Sequence, residues 1–320
     1  MFSQISGTIN KFILPIILAV GLVGNILSFI VFCRNSISKS SLSIYFRVLA
    51  TFDSLTLITG LVPGFLYQIC SFKITTISDW SCRIQRYLVF SSGDVACWTL
   101  ILVSLERMIA VVFPLKAREW CTKSRALTLS LFLFIPASIK NFMTFLTLEL
   151  KTFFIVGADN NTLTEIRQCI SKTKYFYYEN LVRPFLSLTL YYFVTAAIIF
   201  ITNGVISLAM KSRLKSMRYI TQEAVKADYG KSQKTQSKSL LKMSLFIGIL
   251  YLVFLTPSMT IWTTINMFTY YQVEISGEMI DFLFSVTDIL AYLQYSTNFF
   301  VYVISGKRFR LEIKNLLRIK

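Results

Sequence analysis

Seven long apolar segments constrain the fold of this chain more than any other feature. They run over residues 12–33, 44–70, 83–113, 126–148, 182–210, 243–270 and 279–304. Each is long enough to cross a bilayer core, which needs about 20 helical residues. The segments are continuous, whereas the strands of a membrane barrel alternate apolar and polar residues over about ten positions. The sequence therefore predicts an all-α membrane protein, a seven-transmembrane helix bundle.

The basic residues predict the orientation of this bundle. The connections after spans one, three and five, together with the tail, hold 21 Lys and Arg residues, and the opposite side holds seven. By the positive-inside rule the richer side is cytoplasmic. We therefore expect a multi-pass plasma-membrane protein with its N-terminus outside and its C-terminus in the cytoplasm. The net charge of +17 comes largely from these loops, so we expect no nucleic acid partner.

The long connection at residues 149–181 agrees with that orientation. Asn160-Asn161-Thr162 is a glycosylation acceptor pattern, and the charge rule places it outside. Cys82 and Cys169 also fall on the outer, oxidising side, where a disulfide could join span three to this connection. Cys70 lies near the same surface and is an alternative partner.

The tail differs from the bundle in its pattern. Phe309, Ile313, Leu316 and Leu317 recur at helical spacing, with Lys and Arg between them. This pattern predicts an amphipathic cytoplasmic helix that lies on the membrane surface; the alternative is a frayed basic tail. We therefore divide the chain into a bundle over residues 1–306 and a membrane-surface helix and tail over residues 307–320.

Several charges fall inside the apolar segments, where polar groups are costly and mark a function or a buried pair. Asp53 lies in span two, Asp94 and Arg86 in span three, Lys140 in span four and Asp288 in span seven. For Asp94 the sequence leaves open a structural pair or a ligand contact.

For Asp288 we favour a ligand contact. Glu274, Glu278 and Asp281 lie just before it and could attract a cationic ligand. The alternative is a solvated acidic rim.

No enzyme or cofactor motif is present. The chain has no histidine, and it lacks a phosphate-binding loop, a dinucleotide fingerprint, a nucleophile elbow and a metal-ligand spacing. We therefore expect no enzymatic activity, no cofactor and no metal centre. A secondary transporter is the rival from a different class, although no internal repeat supports it.

Short motifs recur in order along the spans. They are Gly24-Asn25 in span one, Leu49-Ala50-Thr51-Phe52-Asp53 in span two, Cys82 and Glu106-Arg107-Met108 at the two ends of span three, Pro257 in span six, Asn298-Phe299-Phe300-Val301-Tyr302 in span seven, and Phe309 after it.

On these motifs the whole chain resembles the rhodopsin-like G-protein-coupled receptors. The resemblance implies a bundle that binds an extracellular ligand and opens its cytoplasmic end to a heterotrimeric G protein. It implies that Glu106 holds Arg107 at rest, and that Asn25, Asp53 and Asn298 form a buried polar network. The coupling and switch residues it implies are Glu106, Arg107, Met108, Leu255, Pro257, Asn298 and Tyr302.

The chain also departs from the family pattern. Leu127 stands where the family has a span-four Trp, span five has no mid-helix proline, and Leu255 stands at the aromatic toggle of span six. Phe299 replaces the span-seven proline, and Met108 replaces the Tyr after Arg107.

A bound sodium ion at Asp53 is not expected. Ala96 and Tyr295 stand where the family has small hydroxyl residues.

The ligand can be narrowed by exclusion. Val89 replaces the Asp of amine receptors, and Tyr292 replaces the Lys that binds retinal in opsins. The end of span seven, together with residues 41–55 at the start of span two, is similar to invertebrate neuropeptide receptors, including those for FMRFamide-like peptides. An orphan chemosensory receptor is the alternative within the family. A guanidinium from such a peptide would suit Asp288 or Asp94. The predicted ligand-binding residues are Arg86, Val89, Phe90, Asp94, Trp262, Phe284, Asp288 and Tyr292.

Overall fold

The protein is a bundle of seven long helices. The computed structural model describes residues 2–156, 163–220 and 227–317. Five spans are single helices: span two is Leu42–Cys70, three is Asp79–Val112, four is Lys123–Thr147, six is Ala227–Tyr270 and seven is Gly277–Ser305. Span one runs without a break through Phe2–Thr8, Ile9–Ile13 and Leu14–Cys33. Span five likewise runs through Tyr178–Val182, Arg183–Ser187, Leu188–Phe193 and Val194–Ile220.

Length and composition separate the seventh helix from the other six. Within the described residues, six helices are long and apolar enough to cross a membrane on those grounds alone. Span seven has a similar length, 29 residues, but carries buried polar residues such as Gln294 and Asn298. It packs against spans one and six, so its polar groups face helices. The predicted seven-helix bundle is confirmed.

Span one begins earlier than the apolar run predicts. We expected a start at residue 12, but the helix starts at Phe2. Ile9 is buried, and the Phe2 ring lies 5.3 Å from the ring of Phe282 in span seven. Lys11 lies directly before the apolar run and limited it in the sequence. It does not interrupt the helix, because its exposed side chain points away from this packing surface.

A β-hairpin covers one end of the bundle. Strands β1 (Leu148–Val156) and β2 (Leu163–Ser171) pair antiparallel, with Leu150 opposite Cys169. Cys169 forms a disulfide with Cys82, so β2 is joined to the start of span three. We call this the hairpin end. Asn160 lies outside the described residues, between the two strands.

Span three also holds β1 directly. The backbone N–H of Leu150 donates to Asp79 Oδ1 at 2.6 Å, and Arg83 Nε donates to the carbonyl of Leu148 at 3.0 Å. Cys70 has a free thiol, so of the two pairings left open by the sequence, Cys82–Cys169 is the one that forms.

The opposite end carries the short helix Pro114–Trp120 and the terminal helix Lys307–Leu317. We call it the Arg107 end. Phe309 is buried, with its ring 5.3 Å from Phe32 and 5.5 Å from Tyr302. Ile313 and Leu316 also pack on the core, whereas Leu317 is exposed. The predicted amphipathic helix is therefore confirmed.

Candidate functional site

A cavity of about 400 Å³ lies among spans two, three, five, six and seven. Arg86 lines it and also lines a shallower pocket beside Cys169, so the cavity approaches the hairpin end. All eight residues that the sequence singled out for ligand binding line this cavity: Arg86, Val89, Phe90, Asp94, Trp262, Phe284, Asp288 and Tyr292.

The cavity wall is rich in aromatic rings. Phe90 and Trp262 face each other with ring centroids 6.2 Å apart. Five buried tyrosines line the cavity: Tyr191, Tyr192, Tyr251, Tyr292 and Tyr295. Such a wall favours a ligand that carries an aromatic side chain.

Two opposite charges face this cavity from different helices. Asp288 comes from span seven and Arg86 from span three. Among the described residues, neither side chain forms an ion pair within 4.0 Å. Both charged groups therefore remain available to a ligand that enters the cavity.

Asp94 is different, because its carboxylate is already held. Asp94 Oδ2 accepts a hydrogen bond from Asn141 and lies 3.4 Å from Lys140 Nζ. Lys140 Nζ also donates to Ser187 Oγ at 3.2 Å and lies 3.5 Å from the centroid of the Tyr191 ring. Of the two interpretations left open by the sequence, the structure contains the buried pair.

This polar cluster includes residues that sequence analysis did not assign to the site. Asn141, Ser187 and Tyr191 gave no signal in the sequence, because serine, asparagine and tyrosine are ordinary inside helices. Lys140 did give a signal, as a cation inside an apolar segment. Its partner could have been sought among the buried carboxylates, but spacing alone does not say which helices are neighbours.

Span five contains a widened turn beside the cavity. Leu188–Phe193 is a π-helical turn, a form that often occurs at functional sites. It turns both Tyr191 and Tyr192 toward the core. Tyr251 of span six donates its hydroxyl to the Tyr191 carbonyl, and Tyr192 shares a hydrogen bond with Thr256. The widened turn thus connects span five to span six beside the cavity.

A second, larger cavity of about 690 Å³ lies between spans one, two and seven. Phe284 and Asp288 line both cavities. Asp281 and Lys73 line only the larger one of these two, which we call the outer cavity. The first cavity, of about 400 Å³, is the inner cavity. Asp288 therefore stands at the junction between the two cavities.

The three residues of the predicted polar network, Asn25, Asp53 and Asn298, are not all in direct contact with one another. Asn298 Nδ2 donates to Asp53 Oδ2 at 2.7 Å, and Asn25 Nδ2 donates to the carbonyl of Tyr295 at 3.0 Å. Asp53 Oδ1 is buried without a hydrogen bond among the described residues. A Cβ on Gly93 would lie 2.9 Å from the Tyr295 hydroxyl, so this tyrosine fills the space between spans three and seven.

The Arg107 end contains most of the predicted coupling residues. Glu106 accepts a hydrogen bond from Ser41 at 2.5 Å, and no ion pair within 4.0 Å joins it to Arg107 in the described part of the chain. Arg107 is buried, with its guanidinium carbon 5.7 Å from the Phe46 ring centroid. Tyr302 is also buried here. That Glu106 holds Arg107 at rest stays a prediction.

Leu255, Pro257 and Asn298 lie apart from this end, whereas Met108 lies at it. Leu255 is buried and lines the inner cavity. Pro257 lies inside span six, and Asn298 contacts Asp53 as described above. Met108 is half-buried beside Arg107.

Comparisons with known proteins agree with this architecture. The sequence profile described as 7 transmembrane receptor (rhodopsin family) matches residues 24–302. The FMRFamide peptide receptor frpr-18 of Caenorhabditis elegans is 21% identical over 308 residues, which cover 95% of this chain and 68% of the relative.

Two vertebrate receptors match shorter parts. The KiSS-1 receptor of Rattus norvegicus is 31% identical over 124 residues, covering 38% of this chain and 30% of the relative. The thyrotropin-releasing hormone receptor of Gallus gallus is 27% identical over 135 residues, covering 42% of this chain and 34% of the relative. The chain thus aligns with about a third of each of these two proteins.

The profile covers most of the chain, and the structure has seven packed helices with a disulfide from span three to the hairpin. The chain belongs to the rhodopsin family of seven-transmembrane receptors.

Proposed function

We propose that this protein is a plasma-membrane receptor for an extracellular peptide and that it activates a heterotrimeric G protein. In this proposal the hairpin end faces outward, and the Arg107 end faces the cytoplasm. The excess of basic residues on the second side supports this orientation. The relatives named above are receptors for an FMRFamide peptide, for KiSS-1 and for thyrotropin-releasing hormone, which supports a peptide ligand.

One observation carries the proposal about the ligand. Asp288 lies at the junction of an aromatic inner cavity and a larger outer cavity, and within the described ranges no cation lies within 4.0 Å of its carboxylate. A peptide with a guanidinium next to an aromatic residue could place the charge on Asp288 and the ring against Phe90 and Trp262. The rest of the peptide would occupy the outer cavity.

A screen of amidated peptides in cells that carry a G-protein reporter tests this function. We expect peptides with Arg beside a C-terminal aromatic residue to activate the receptor. Asp288→Asn should raise the effective concentration at least about tenfold, the cost of losing one charge-assisted contact. Asp281→Asn is the matched control, because Asp281 is an acid of the same helix that lines only the outer cavity of the two. Activation by small amines or odorants and by no peptide would show that the ligand class is wrong.

Arg107 provides a separate test of G-protein coupling. It is buried at the proposed cytoplasmic end, where the family places its coupling arginine. We expect Arg107→Ala to abolish the reporter response while surface expression, measured by antibody labelling, stays near the wild-type level. Unchanged signalling by this variant would exclude Arg107 from coupling.

A further inference from the structure

The floor of the inner cavity carries a complete buried ion pair. Asp94 and Lys140 are separated by 3.4 Å, and their side chains are only 8% and 13% exposed. Asp94 lines the cavity, so a ligand that reaches the floor meets a carboxylate that already has a cation beside it.

Lys140 is held in place by side chains from two neighbouring helices. It lies on span four, while Asp94 is on span three and Ser187 and Tyr191 are on span five. Its ammonium contacts all three of these side chains. In the described part of the chain it is the only cation within 4.0 Å of Asp94.

Arg183, another buried cation nearby, pairs with a different carboxylate. Arg183 Nη1 lies 2.7 Å from Glu179 Oε2, and Arg183 Nη2 donates to Thr144 Oγ1 at 2.8 Å. Arg183 therefore has its own carboxylate and does not replace Lys140 at Asp94.

The inner cavity thus contains two carboxylates in unlike situations. Among the described residues, Asp288 has no cation within 4.0 Å, whereas Asp94 has Lys140. A buried carboxylate whose partner is removed attracts another cation strongly, because its charge is poorly solvated. Without Lys140, Asp94 would be a second anchor for a cationic ligand in the same cavity.

We propose that Lys140 is a built-in counter-ion that determines the specificity of the cavity. Because Lys140 already pairs with Asp94, a cationic ligand group gains no carboxylate partner at the floor, and an uncharged group binds there instead. A cation on the ligand is thereby directed to Asp288. This inference rests on the proposed function only in taking the inner cavity as the ligand site.

The test uses purified receptor in detergent and two small probes. Phenethylamine carries an aromatic ring and an ammonium, and phenethyl alcohol carries the same ring and a hydroxyl. All variants are made in an Asp288→Asn background, which removes the unpaired carboxylate. The dissociation constant of each probe is taken from the shift of the thermal unfolding midpoint with probe concentration. Neither peptide activation nor a G protein enters this measurement, so its failure is distinct from failure of the proposed function.

We expect no preference between the probes while Lys140 is present. Adding Lys140→Met should make phenethylamine bind about tenfold more tightly than phenethyl alcohol, as one new charge-assisted contact would. Adding Asp94→Asn to that variant should abolish the preference. A preference for phenethylamine already present with Lys140, or no gain after Lys140→Met in a folded protein, would overturn the proposal.

If Lys140→Met does not fold, the folding of the double variant provides the test. If Lys140→Met unfolds the receptor but Lys140→Met with Asp94→Asn folds, the unpaired carboxylate is the cause, and the counter-ion role is supported. If both variants fail to fold, Lys140 is needed irrespective of Asp94, and the proposal is wrong.

Discussion

At the scale of single residues, one glycine allows a cavity tyrosine to take its position. Tyr292 lies against Gly60 of span two so closely that a Cβ there would be 2.1 Å from the tyrosine hydroxyl. Tyr292 is buried and lines the inner cavity. The shape of the cavity therefore depends on the absence of a side chain at residue 60.

We expect Gly60→Ala to displace Tyr292 and to weaken the peptide response. Overpacking of this kind costs about 1 to 3 kcal/mol, which corresponds to a loss of potency of about five- to 150-fold if it falls on the ligand-bound form. The measurement is a dose–response curve in the reporter cells. Gly204→Ala is the control, because a Cβ at that position meets nothing within 4 Å and Gly204 lines neither cavity. Equal potency for the two variants would contradict the assigned role of Tyr292.

The same scale shows what the sequence could and could not predict about the site. The eight cavity residues were found because a charge in an apolar helix is costly and because the family motifs give each helix a reference point. The pairing of Asp94 with Lys140 was not found, because it depends on which faces of spans three and four meet. The hydrogen bond from Tyr251 to the Tyr191 carbonyl depends on the π-helical turn, which no residue pattern predicted.

At the scale of secondary structure, the residue that replaces the span-seven proline has a matching partner in span one. Phe299 packs on Gly24, where a Cβ would lie 2.9 Å from the Cβ of Phe299. The ring of Phe299 also lies 6.0 Å from that of Phe309 in the terminal helix. The aromatic residue at this position thus joins span one, span seven and the terminal helix.

We expect Gly24→Ala to lower the thermal stability of the receptor by about 1 to 3 kcal/mol, because the new methyl group overlaps Phe299. Gly204→Ala should be neutral or stabilising, because a Cβ there meets nothing within 4 Å and alanine favours a helix by about 1 kcal/mol. Differential scanning fluorimetry of purified protein measures both. Restoration of stability by Phe299→Ala in the Gly24→Ala background would identify the overlap as the cause, and a loss that persists would contradict it.

The terminal helix is tied to the connection between spans one and two by Glu312. Glu312 Oε1 accepts from Ser36 Oγ at 2.6 Å, and Arg34 Nε lies 2.6 Å from Glu312 Oε2. The hydrogen bond from Ser36, together with the Arg34 guanidinium, lowers the pKa of Glu312 below its usual 4.5. Since the pKa is lowered in the folded state, this contact stabilises the protein above the unfolded pKa and is lost as the pH falls through the folded one.

We therefore expect the terminal helix to stay docked between about pH 5 and 8 and to loosen only in stronger acid. Amide exchange protection of residues 309–317, corrected for the intrinsic effect of pH, measures the docking. Glu312→Gln should reduce protection throughout the higher range. Glu119→Gln, an exposed acid in the short helix at the same end, should not. Loosening of the wild-type helix near neutral pH would contradict this account.

The elements themselves were predictable to different degrees. The spans followed from apolar length, because the bilayer sets a minimum that other segments do not reach. The start of span one did not follow, because Lys11 ended the apolar run although the helix continues through it. The hairpin was not predicted, because its nine-residue strands are held in place by contacts with span three and by the disulfide.

At the scale of the whole molecule, the two proposed activities lie at opposite ends of span three. Cys82 holds the hairpin, Arg86 and Asp94 line the inner cavity, and Arg107 lies at the other end of the same helix. Span six also lines the cavity, through Tyr251 and Leu255. A ligand in the cavity therefore touches helices that continue to the proposed coupling surface.

The most direct test of this account is a binding cycle with one active amidated peptide from the screen and its analogue in which citrulline replaces Arg. The analogue keeps the shape of the side chain and removes its charge. On the wild-type receptor we expect the replacement to weaken binding about ten- to hundredfold, and on Asp288→Asn we expect little further loss, because the two changes remove the same contact. Equal losses on the two receptors would contradict the claim that Asp288 in the inner cavity binds the ligand's cation.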